Sequence, residues 1–237
     1  MTESLSVTSQ PKKVCLSYTG GKDCTLTLHL LSAQPEKYNI VSLITFTPAA
    51  TKPFLAHPQH LIKLQSQALT LPHQFLSVTP PYVESYRSLI VSCNIDVLAT
   101  GDILDVCNRF MDRVVEGTDI ELVRPLWERE RTELIEEIFK FEFEVLISCV
   151  NLENMKEDAA RKLVGNILTR DLYENVILKQ DVDGCGEMGE YHSMVLNAPL
   201  FKKRIVIKKG KQTISEDGKF LYFEVQECEL VDKTCSE

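Results

Sequence analysis

The sequence predicts an α/β fold: an open, mostly parallel, Rossmann-like sheet with helices on both faces, followed by a smaller carboxyl-terminal α+β region. Three observations predict it. Short apolar, β-branched runs alternate with helical patterns through the first 150 residues, which is typical of parallel strands joined by crossover helices. Residues 38–46 are almost continuously apolar, as a strand buried on both sides should be. After about residue 150 the pattern changes to short antiparallel strands.

The elements follow in order along the chain. The strand candidates of the first part are residues 13–18, 38–46, 74–78, 95–100, 120–123 and 145–150. The helix candidates, which carry apolar residues at helical spacing, are residues 22–32, 58–71, 82–92, 105–116 and 131–141. The second part contains a predicted helix at 158–178, a glycine-rich loop at 184–189, and antiparallel strands within 195–231 that turn at 216–218. We therefore divide the chain into a flexible amino terminus at 1–12, a first domain at 13–150 and a second region at 151–237.

Composition narrows the class of protein. The chain has 237 residues, of which 44% are hydrophobic, enough for one large domain or two small ones. Its formal net charge of −8 argues against a nucleic-acid-binding surface, because affinity for a phosphate backbone comes mainly from Lys and Arg. The eight cysteines are scattered without C-x-x-C spacing, and no apolar run approaches the ~20 residues of a membrane span. With a polar amino terminus, these features predict a soluble, cytoplasmic protein with reduced thiols.

The strongest motif is the segment S-Y-T-G-G-K-D-C at residues 17–24, between the first strand and the first helix. Two glycines let backbone N–H groups turn inward, and the start of a helix adds unpaired N–H groups and a partial positive charge. Such a turn can hold phosphate oxygens. The hydroxyls of Ser17 and Thr19 and the ammonium of Lys22 suit the same ligand. The alternative is an ordinary strand–turn–helix connection with a capping residue.

The segment resembles the S-x-S-G-G-K-D-S loop of the PP-loop ATP pyrophosphatases, a superfamily that includes GMP synthetase, asparagine synthetase and tRNA-modifying enzymes. Thr19 stands for the second serine and keeps its hydroxyl. Cys24 stands for the last serine and is a weaker hydrogen-bond donor. The resemblance implies the HUP type of Rossmann-like fold, with an ATP-binding PP-loop domain at 13–150 and a substrate-binding region at 151–237.

Four further stretches resemble the diphthine–ammonia ligase family of that superfamily, in the same order. They are Ala56-His57 with Gln65 to Ala68, then Gly101-Asp102-Ile103 with Arg109, then Pro125-Leu126-Trp127 with Arg131, and finally residues 182–193 running on to Ala198-Pro199-Leu200-Phe201. The last stretch approaches the family pattern G-E-x-G-E-[YF]-[HE]-[ST] and is the most specific part. The resemblance covers residues 14–231, with departures at Gly184 and Met188 as well as in the loop.

The resemblance implies an ATP-dependent carboxylate–ammonia ligase that uses Mg²⁺. The carboxylate of diphthine, a modified histidine of translation elongation factor 2, would attack the α-phosphate of ATP and expel pyrophosphate. Ammonia would then convert the acyl-adenylate to diphthamide and AMP. Because the loop begins near residue 17 and Thr2 follows Met1, a fused glutaminase is not expected, and ammonia is expected to be taken free.

The expected site residues fall into four overlapping groups. The nucleotide-binding group is Ser17, Tyr18, Thr19, Gly20, Gly21, Lys22, Asp23, Cys24, Thr45, His57 and Gly101. The substrate-binding group is Asp102, Arg109, Trp127, Glu187, Gly189, Glu190 and Tyr191. The catalytic group is Lys22, Glu187, Glu190 and His192, and the candidate Mg²⁺ ligands are Asp23 and Asp102.

Several of these residues also have a purely structural interpretation. Asp23 and Asp102 suit helix N-caps, and Arg109, one turn into the predicted fourth helix, suits a solvated surface. Trp127, the only tryptophan, suits packing between the two regions. The cluster of titratable groups at 187–192 could be a solvated turn.

Three other functions stay open at this point. A related PP-loop enzyme could amidate a different small carboxylic acid, the protein could modify tRNA, or the loop could belong to a non-catalytic nucleotide-binding module. The excess of acidic residues and the missing C-x-x-C pairs argue against a tRNA-modifying enzyme. As partners we expect ATP, ammonia and elongation factor 2, with a homodimer as one option and neither tRNA nor a membrane.

Overall fold

The computed structural model describes residues 10–48, 56–105 and 107–233, so most of the predicted amino-terminal segment 1–12 and Cys235 lie outside the described residues. The strands are β1 Lys12–Ser17, β2 Tyr38–Pro48, β3 His73–Val78, β4 Val97–Ala99, β5 Glu121–Val123, β6 Glu144–Asn151, β7 Tyr191–Asn197, β8 Lys203–Ile214 and β9 Phe220–Asp232. The helices are α1 Lys22–Ser32, α2 Gln59–Leu69, α3 Tyr82–Ser92, α4 Phe110–Val115, α5 Arg131–Lys140, α6 Glu157–Leu163 and α7 Arg170–Asn175, followed by a 3₁₀ turn at Ile177–Lys179.

The first five strands form a parallel sheet in the order β3-β2-β1-β4-β5. In register, Val14 of β1 lies between Ile40 of β2 and Val97 of β4. The chain builds outward in one direction from β1 to β3 and then in the other through β4 and β5. The order therefore reverses between β1 and β4, the position where open α/β sheets bind ligands beyond the carboxyl ends of their strands. The predicted α/β fold class is confirmed.

Both faces of the parallel sheet are covered. Successive side chains of β1 point to opposite faces, so Val14 and Leu16 join one core and Cys15 the other, and all three are fully buried. The second core includes Ile90 of α3 and Val114 of α4. The first is larger and continues from the parallel sheet into the remainder of the chain. This continuity holds the second region against α1 and α2.

The last four strands form an antiparallel sheet in the order β7-β6-β9-β8. The sequence places β6 with the parallel strands, and that assignment is wrong: β6 pairs antiparallel with both β7 and β9. Val145 to Val150 are all buried, and a strand covered on both faces has the same apolar pattern in either type of sheet. The proposed boundary after residue 150 therefore falls at the end of a strand of the second sheet.

Two predicted helices are shorter than their patterns indicate. The helix expected at 105–116 begins only at Phe110, because the Asp105 side chain accepts a hydrogen bond from the Arg109 backbone at 2.6 Å. Asn108 and Arg109 have left-handed backbones, so Arg109 precedes the helix instead of lying one turn inside it.

The helix expected at 158–178 is divided into α6, α7 and the 3₁₀ turn. Gly165 has φ +84°, which no helix allows, and Ile167 bridges to Leu146 of β6. The Thr169 side chain then caps α7 by accepting from the Leu172 backbone at 3.2 Å. The hairpin of β8 and β9 with its turn at 216–218 agrees with the sequence. In the part of the chain that the structure describes, no helix has the length and apolar character to cross a bilayer.

Candidate active site

A cavity of about 500 Å³ opens at the carboxyl edge of the parallel sheet, where the strand order reverses between β1 and β4. Four segments supply most of its lining: the loop after β1, the loop after β4, the turn after β5, and a segment from the second region. We call residues 17–24 the phosphate loop and residues 182–193 the glycine–glutamate segment. The two motifs that the sequence analysis singled out are thus brought together at one opening.

The phosphate loop is shaped by its glycines and fixed from beneath by α2. Gly20 has φ +78°, and a Cβ there would lie 2.1 Å from Gln65 Oε1. The buried Gln65 amide donates to the Gly20 carbonyl at 2.8 Å and to the Val195 carbonyl of β7 at 2.7 Å. Gly21 is the N-cap of α1 with no side-chain cap. The loop therefore directs main-chain groups, not a capping side chain, at the start of an 11-residue helix.

Lys22 joins the two motifs. Its backbone N–H donates to Ser193 Oγ at 3.2 Å, and its ammonium donates to Asp23 Oδ2 at 2.8 Å and to the Cys185 carbonyl. The side chain is 4% exposed. Burial alone would lower the pKa of Lys22, but Asp23, Tyr191 and Cys185 together more than offset it, and the net pKa lies above its usual range. Lys22 therefore stays charged at the base of the cavity.

Asp23 lines the cavity and has a feature that fits a cation. Its Oδ2 accepts from Lys22, while its Oδ1 is buried without a hydrogen-bond partner in the described residues. No group of three or more His, Cys, Asp and Glu side chains within those residues is placed to hold a metal ion. The other candidate ligand, Asp102, accepts from Thr100 Oγ1 at 2.7 Å. A Mg²⁺ ion would fit here only with phosphate oxygens or water as its remaining ligands.

The glycine–glutamate segment is held by its own carboxylates. Asp183 Oδ1 accepts from the Cys185 backbone at 2.8 Å, and Asp183 Oδ2 pairs with Arg131 at 3.2 Å. Glu190 is buried, and its Oε1 accepts from the Asp183 backbone at 3.0 Å. Gly186 has φ +73°, and a Cβ there would lie 2.9 Å from the Tyr191 ring. The segment is an ordered structure, not a solvated turn.

Glu187 connects this segment to the loop after β4. Its Oε1 accepts from the backbones of Ile103 and Leu104, each at 3.2 Å. Burial raises the pKa of Glu187, and the Asp23 carboxylate raises it further, while the two N–H donors and Lys22 oppose the rise. Glu187 also lines the cavity. The same carboxylate therefore connects the two regions and faces the cavity.

Two histidines stand together at the cavity. The rings of His57 and His192 lie 5.1 Å apart at 72°. Burial lowers the pKa of His57 to about 3, with His192 as a second cause. Burial, followed by the charge on Lys22, lowers the pKa of His192. Both imidazoles are therefore neutral at neutral pH, and a neutral imidazole at a cavity can accept a proton.

The loop after β4 and the turn after β5 form the opposite wall. Burial raises the pKa of Asp102, which caps no helix. Trp127 lines the cavity, and the Arg124 guanidinium lies 3.9 Å above its ring. Arg124 also makes two hydrogen bonds to Asp112, at 2.9 and 3.1 Å. Arg109 contacts the same carboxylate at 3.0 Å, but its side chain is 69% exposed.

The structure brings most of the predicted residues together. Fifteen of them line the cavity: Ser17, Thr19, Gly21, Lys22, Asp23, Cys24, His57, Gly101, Asp102, Arg109, Trp127, Glu187, Gly189, Tyr191 and His192. Four lie behind it: Tyr18, Gly20, Thr45 and Glu190. Tyr18 is fully buried beside Thr25. Thr45 donates to the Tyr18 carbonyl and lies 2.8 Å from His73 Nε2. These four positions support the loop and the segment.

Sequence reasoning missed a second set of lining residues. Phe46, Tyr86 and Phe110 form an aromatic group, with ring centroids 4.0 Å apart for the first pair and 5.0 Å for the second. Arg124 and Asp112 were missed as well. Phe46 and Arg124 each lie at or directly beyond the end of a predicted strand, the signal that identified Asp102. Tyr86 and Phe110 lie on helices, where nothing in the pattern separates them from core residues.

The chain is similar to proteins of one function by both its family-model match and its sequence relatives. Residues 130–229 match the family model described as the diphthamide synthase C-terminal domain. The chain is 23% identical to the human diphthine–ammonia ligase over 261 residues, which covers 94% of both chains. It is 28% identical over 141 residues to the diphthine–ammonia ligase of Schizosaccharomyces pombe, covering 57% of this chain and 22% of that protein. The corresponding bovine protein is 24% identical over 256 residues, with 93% of both chains covered.

Among solved structures, the chain is similar to a predicted subunit of tRNA methyltransferase from Methanocaldococcus jannaschii, with a TM-score of 0.40 and 18% identity over 56% of this chain and 77% of that one. The similarity that matters here is that to the sequence relatives. The family model and the sequence matches agree with the motifs that meet at the cavity, and this chain is similar to the diphthine–ammonia ligases over nearly its whole length.

Proposed function

We propose that this protein is an ATP-dependent ligase that forms the amide of diphthamide from diphthine and ammonia, releasing AMP and pyrophosphate. The observation that carries the proposal is the position of Lys22. It is a buried ammonium at the start of α1, bonded to the glycine–glutamate segment and facing a cavity where the strand order reverses. That combination suits a triphosphate beside an acceptor. The human and bovine relatives named for this activity match over nearly the whole chain.

The reaction proceeds in two steps. An acceptor carboxylate oxygen attacks the α-phosphorus of ATP, the bond to the bridging oxygen breaks, and pyrophosphate leaves with that electron pair. Ammonia nitrogen then attacks the acyl carbon, AMP leaves, and the nitrogen loses one proton. Adenylation is needed because a free carboxylate has no good leaving group.

The protein's own residues supply charge and a proton acceptor. Lys22 and the main chain of the phosphate loop stabilise the negative charge that develops on pyrophosphate. His192, neutral because burial and Lys22 lower its pKa, accepts the proton that ammonia loses. Glu187 orients the cationic part of the acceptor or ammonia from the cavity wall. Glu190, which is buried behind the wall, holds the segment in shape through the Asp183 backbone.

A Mg²⁺ ion, when bound with ATP, would neutralise phosphate charge and polarise the bond that breaks. Asp23 fits this ion through its unpartnered oxygen Oδ1. We also propose a cytoplasmic location, free ammonia as the nitrogen donor, and diphthine-bearing elongation factor 2 as the protein substrate. A homodimer stays an option for the assembly.

The test is pyrophosphate and AMP release measured with ATP, ammonium and one acceptor at a time. The arms are diphthine-bearing elongation factor 2, unmodified elongation factor 2, a panel of small carboxylic acids, and tRNA. We expect release, together with amide formation detected by mass spectrometry, only with the diphthine-bearing factor. Release with a small acid alone would replace the proposed acceptor. ATP binding without release in any arm would favour the non-catalytic module.

A further inference from the structure

An acceptor carboxylate must approach the triphosphate of ATP, and like charges repel each other in a partly desolvated cavity. A cationic side chain on the acceptor's side would offset this repulsion. In the described part of the chain, the permanently charged cations that line the cavity are Lys22, Arg109 and Arg124. Lys22 belongs to the phosphate loop and is bonded to Asp23 and Cys185. The Arg109 side chain is 69% exposed and pairs with Asp112 at 3.0 Å.

Of these three cations, Arg124 is the one that neighbouring side chains of the opposite wall hold in place. Its side chain is 18% exposed, its guanidinium lies 3.9 Å over the Trp127 ring, and two of its N–H groups are bonded to Asp112. A guanidinium has five N–H donors in a rigid plane. Stacking on one face and a two-point contact along one edge fix that plane and leave further donors for a ligand.

The position of Arg124 relative to the phosphate loop also suits an acceptor. Arg124 follows β5, whose Val123 pairs with Ala99 of β4, and β4 lies directly beside β1. Neighbouring strands lie ~4.8 Å apart, so Arg124 begins roughly 10 Å across the sheet edge from the end of β1. That separation leaves room for a phosphate group and a carboxylate side by side.

On the basis of the proposed function, we propose that Arg124 binds the reacting carboxylate of the acceptor and brings it to the α-phosphate of ATP. Trp127 and Asp112 hold the guanidinium plane, and Arg109 does not contact the reacting group. The contact selects an acceptor with a free carboxylate over one whose carboxyl group is already an ester or amide. It is a binding role on the acceptor side, separate from the nucleotide contacts of the phosphate loop.

The experiment compares Arg124→Ala and Arg124→Lys with the wild type. Arg129→Ala is the matched control, because Arg129 makes an equivalent two-point contact to Glu137, at 3.1 and 2.7 Å, away from the cavity. Pyrophosphate release gives KM for the diphthine-bearing factor, and calorimetry gives Kd for a non-hydrolysable ATP analogue. A second readout is the fluorescence of Trp127, the only tryptophan, during titration with a tryptophan-free diphthine peptide in the presence of the analogue.

We expect Arg124→Ala to raise the acceptor KM by roughly tenfold to a hundredfold, the loss of a charged hydrogen-bonded contact, with the analogue's Kd unchanged. Arg124→Lys keeps the charge but lacks the planar guanidinium, so its KM should lie between those of the wild type and Arg124→Ala. The lysine variant replaces the alanine variant in the test if the latter folds poorly. Arg129→Ala should match the wild type. An unchanged acceptor KM, or a weaker analogue affinity in place of a raised KM, would overturn the assignment.

Failure of the proposed function gives a different result. If the wild type releases no pyrophosphate with any acceptor, the ligase assignment falls, and the fluorescence titration decides the role of Arg124. A saturable change in the wild type that is absent in Arg124→Ala supports carboxylate binding at this residue. No change in the wild type, or an equal change in both proteins, overturns it.

Discussion

The phosphate loop and the glycine–glutamate segment reach the same cavity but are held in different ways. The loop is held through its main chain, with the Gln65 amide bonded to the Gly20 carbonyl and the β7 backbone bonded to the same carbonyl. The segment is held through side-chain carboxylates that accept its own N–H groups. The loop therefore presents main-chain donors to the cavity, whereas the segment presents acceptors.

This difference explains which changes each motif tolerates. In the loop, Thr19 and Cys24 stand where the PP-loop pattern has serine, and Cys24 Sγ still donates to the Gly21 carbonyl at 3.2 Å. A Cβ at Gly20, by contrast, would overlap Gln65. In the segment, Met188 is 63% exposed and free to vary, while Asp183 and Glu190 are part of the hydrogen-bond network that fixes the turn. The loop therefore depends on a glycine that has no side chain, whereas the segment depends on the carboxylates of Asp183 and Glu190.

The largest effect is expected at the residue that joins the two motifs. Lys22→Ala removes the ammonium at the cavity and its contact with the Cys185 carbonyl. We expect AMP release to fall by about a hundredfold to a thousandfold, as when a group that stabilises transition-state charge is lost. Lys219→Ala is the control, since the ammonium of that lysine forms an exposed pair with Glu153. Near-normal AMP release by Lys22→Ala would show that the main chain alone carries phosphate stabilisation.

A glycine comparison separates backbone strain from overlap in the phosphate loop. Gly20→Ala and Gly117→Ala both place a Cβ at positive φ, +78° and +73°, but only the first Cβ meets another atom. Positive φ costs about 1 kcal/mol of unfolding free energy in each, and the overlap with Gln65 adds roughly 1–3 kcal/mol at Gly20 alone. Urea unfolding measures both. Equal losses would mean that the loop does not depend on its contact with α2.

The unfolding free energy should depend on pH through His57, which lies against Gly21 and His192 where the two motifs meet. Burial lowers its folded-state pKa to about 3 from an ordinary value near 6.5. The unfolded chain therefore binds the extra proton first, so the stabilisation is complete above pH 6.5 and is lost as pH falls towards 3. From pH 6.5 to 5 we expect a loss of about 2 kcal/mol, at ~1.4 kcal/mol per unit. His57→Gln should flatten that part of the curve of unfolding free energy against pH.

The smallest effect is expected at Glu187, the carboxylate of the glycine–glutamate segment that lines the cavity. Glu187→Gln keeps the shape and one carbonyl oxygen for the Ile103 and Leu104 backbones but removes the charge. We expect kcat to fall by about tenfold, equivalent to ~1.4 kcal/mol, with the unfolding free energy within ~0.5 kcal/mol of the wild type. A loss of stability without a change in kcat would make Glu187 a joint between the two regions and nothing more.

Much of the site was predictable because its residues follow strand ends. Lys22 follows β1 and Asp102 follows β4, and parallel strands bring their carboxyl ends to one edge. Arg124 follows β5 in the same way but belongs to no recognised motif. The start of α4 was not predictable from apolar spacing, because a single side-chain contact from Asp105 to the Arg109 backbone delays it.

The sequence alone determined that the first five strands run parallel, that a glycine turn follows β1, and which family the chain resembles, because these depend on local pattern and short motifs. Only the tertiary structure decided that β6 joins the antiparallel sheet, that Glu190 lies behind the cavity, and that Arg124 lies on Trp127 within it. Those outcomes depend on contacts between residues distant in the chain. Burial on both faces, or a charge next to a ring, gives no local pattern that could reveal its partner.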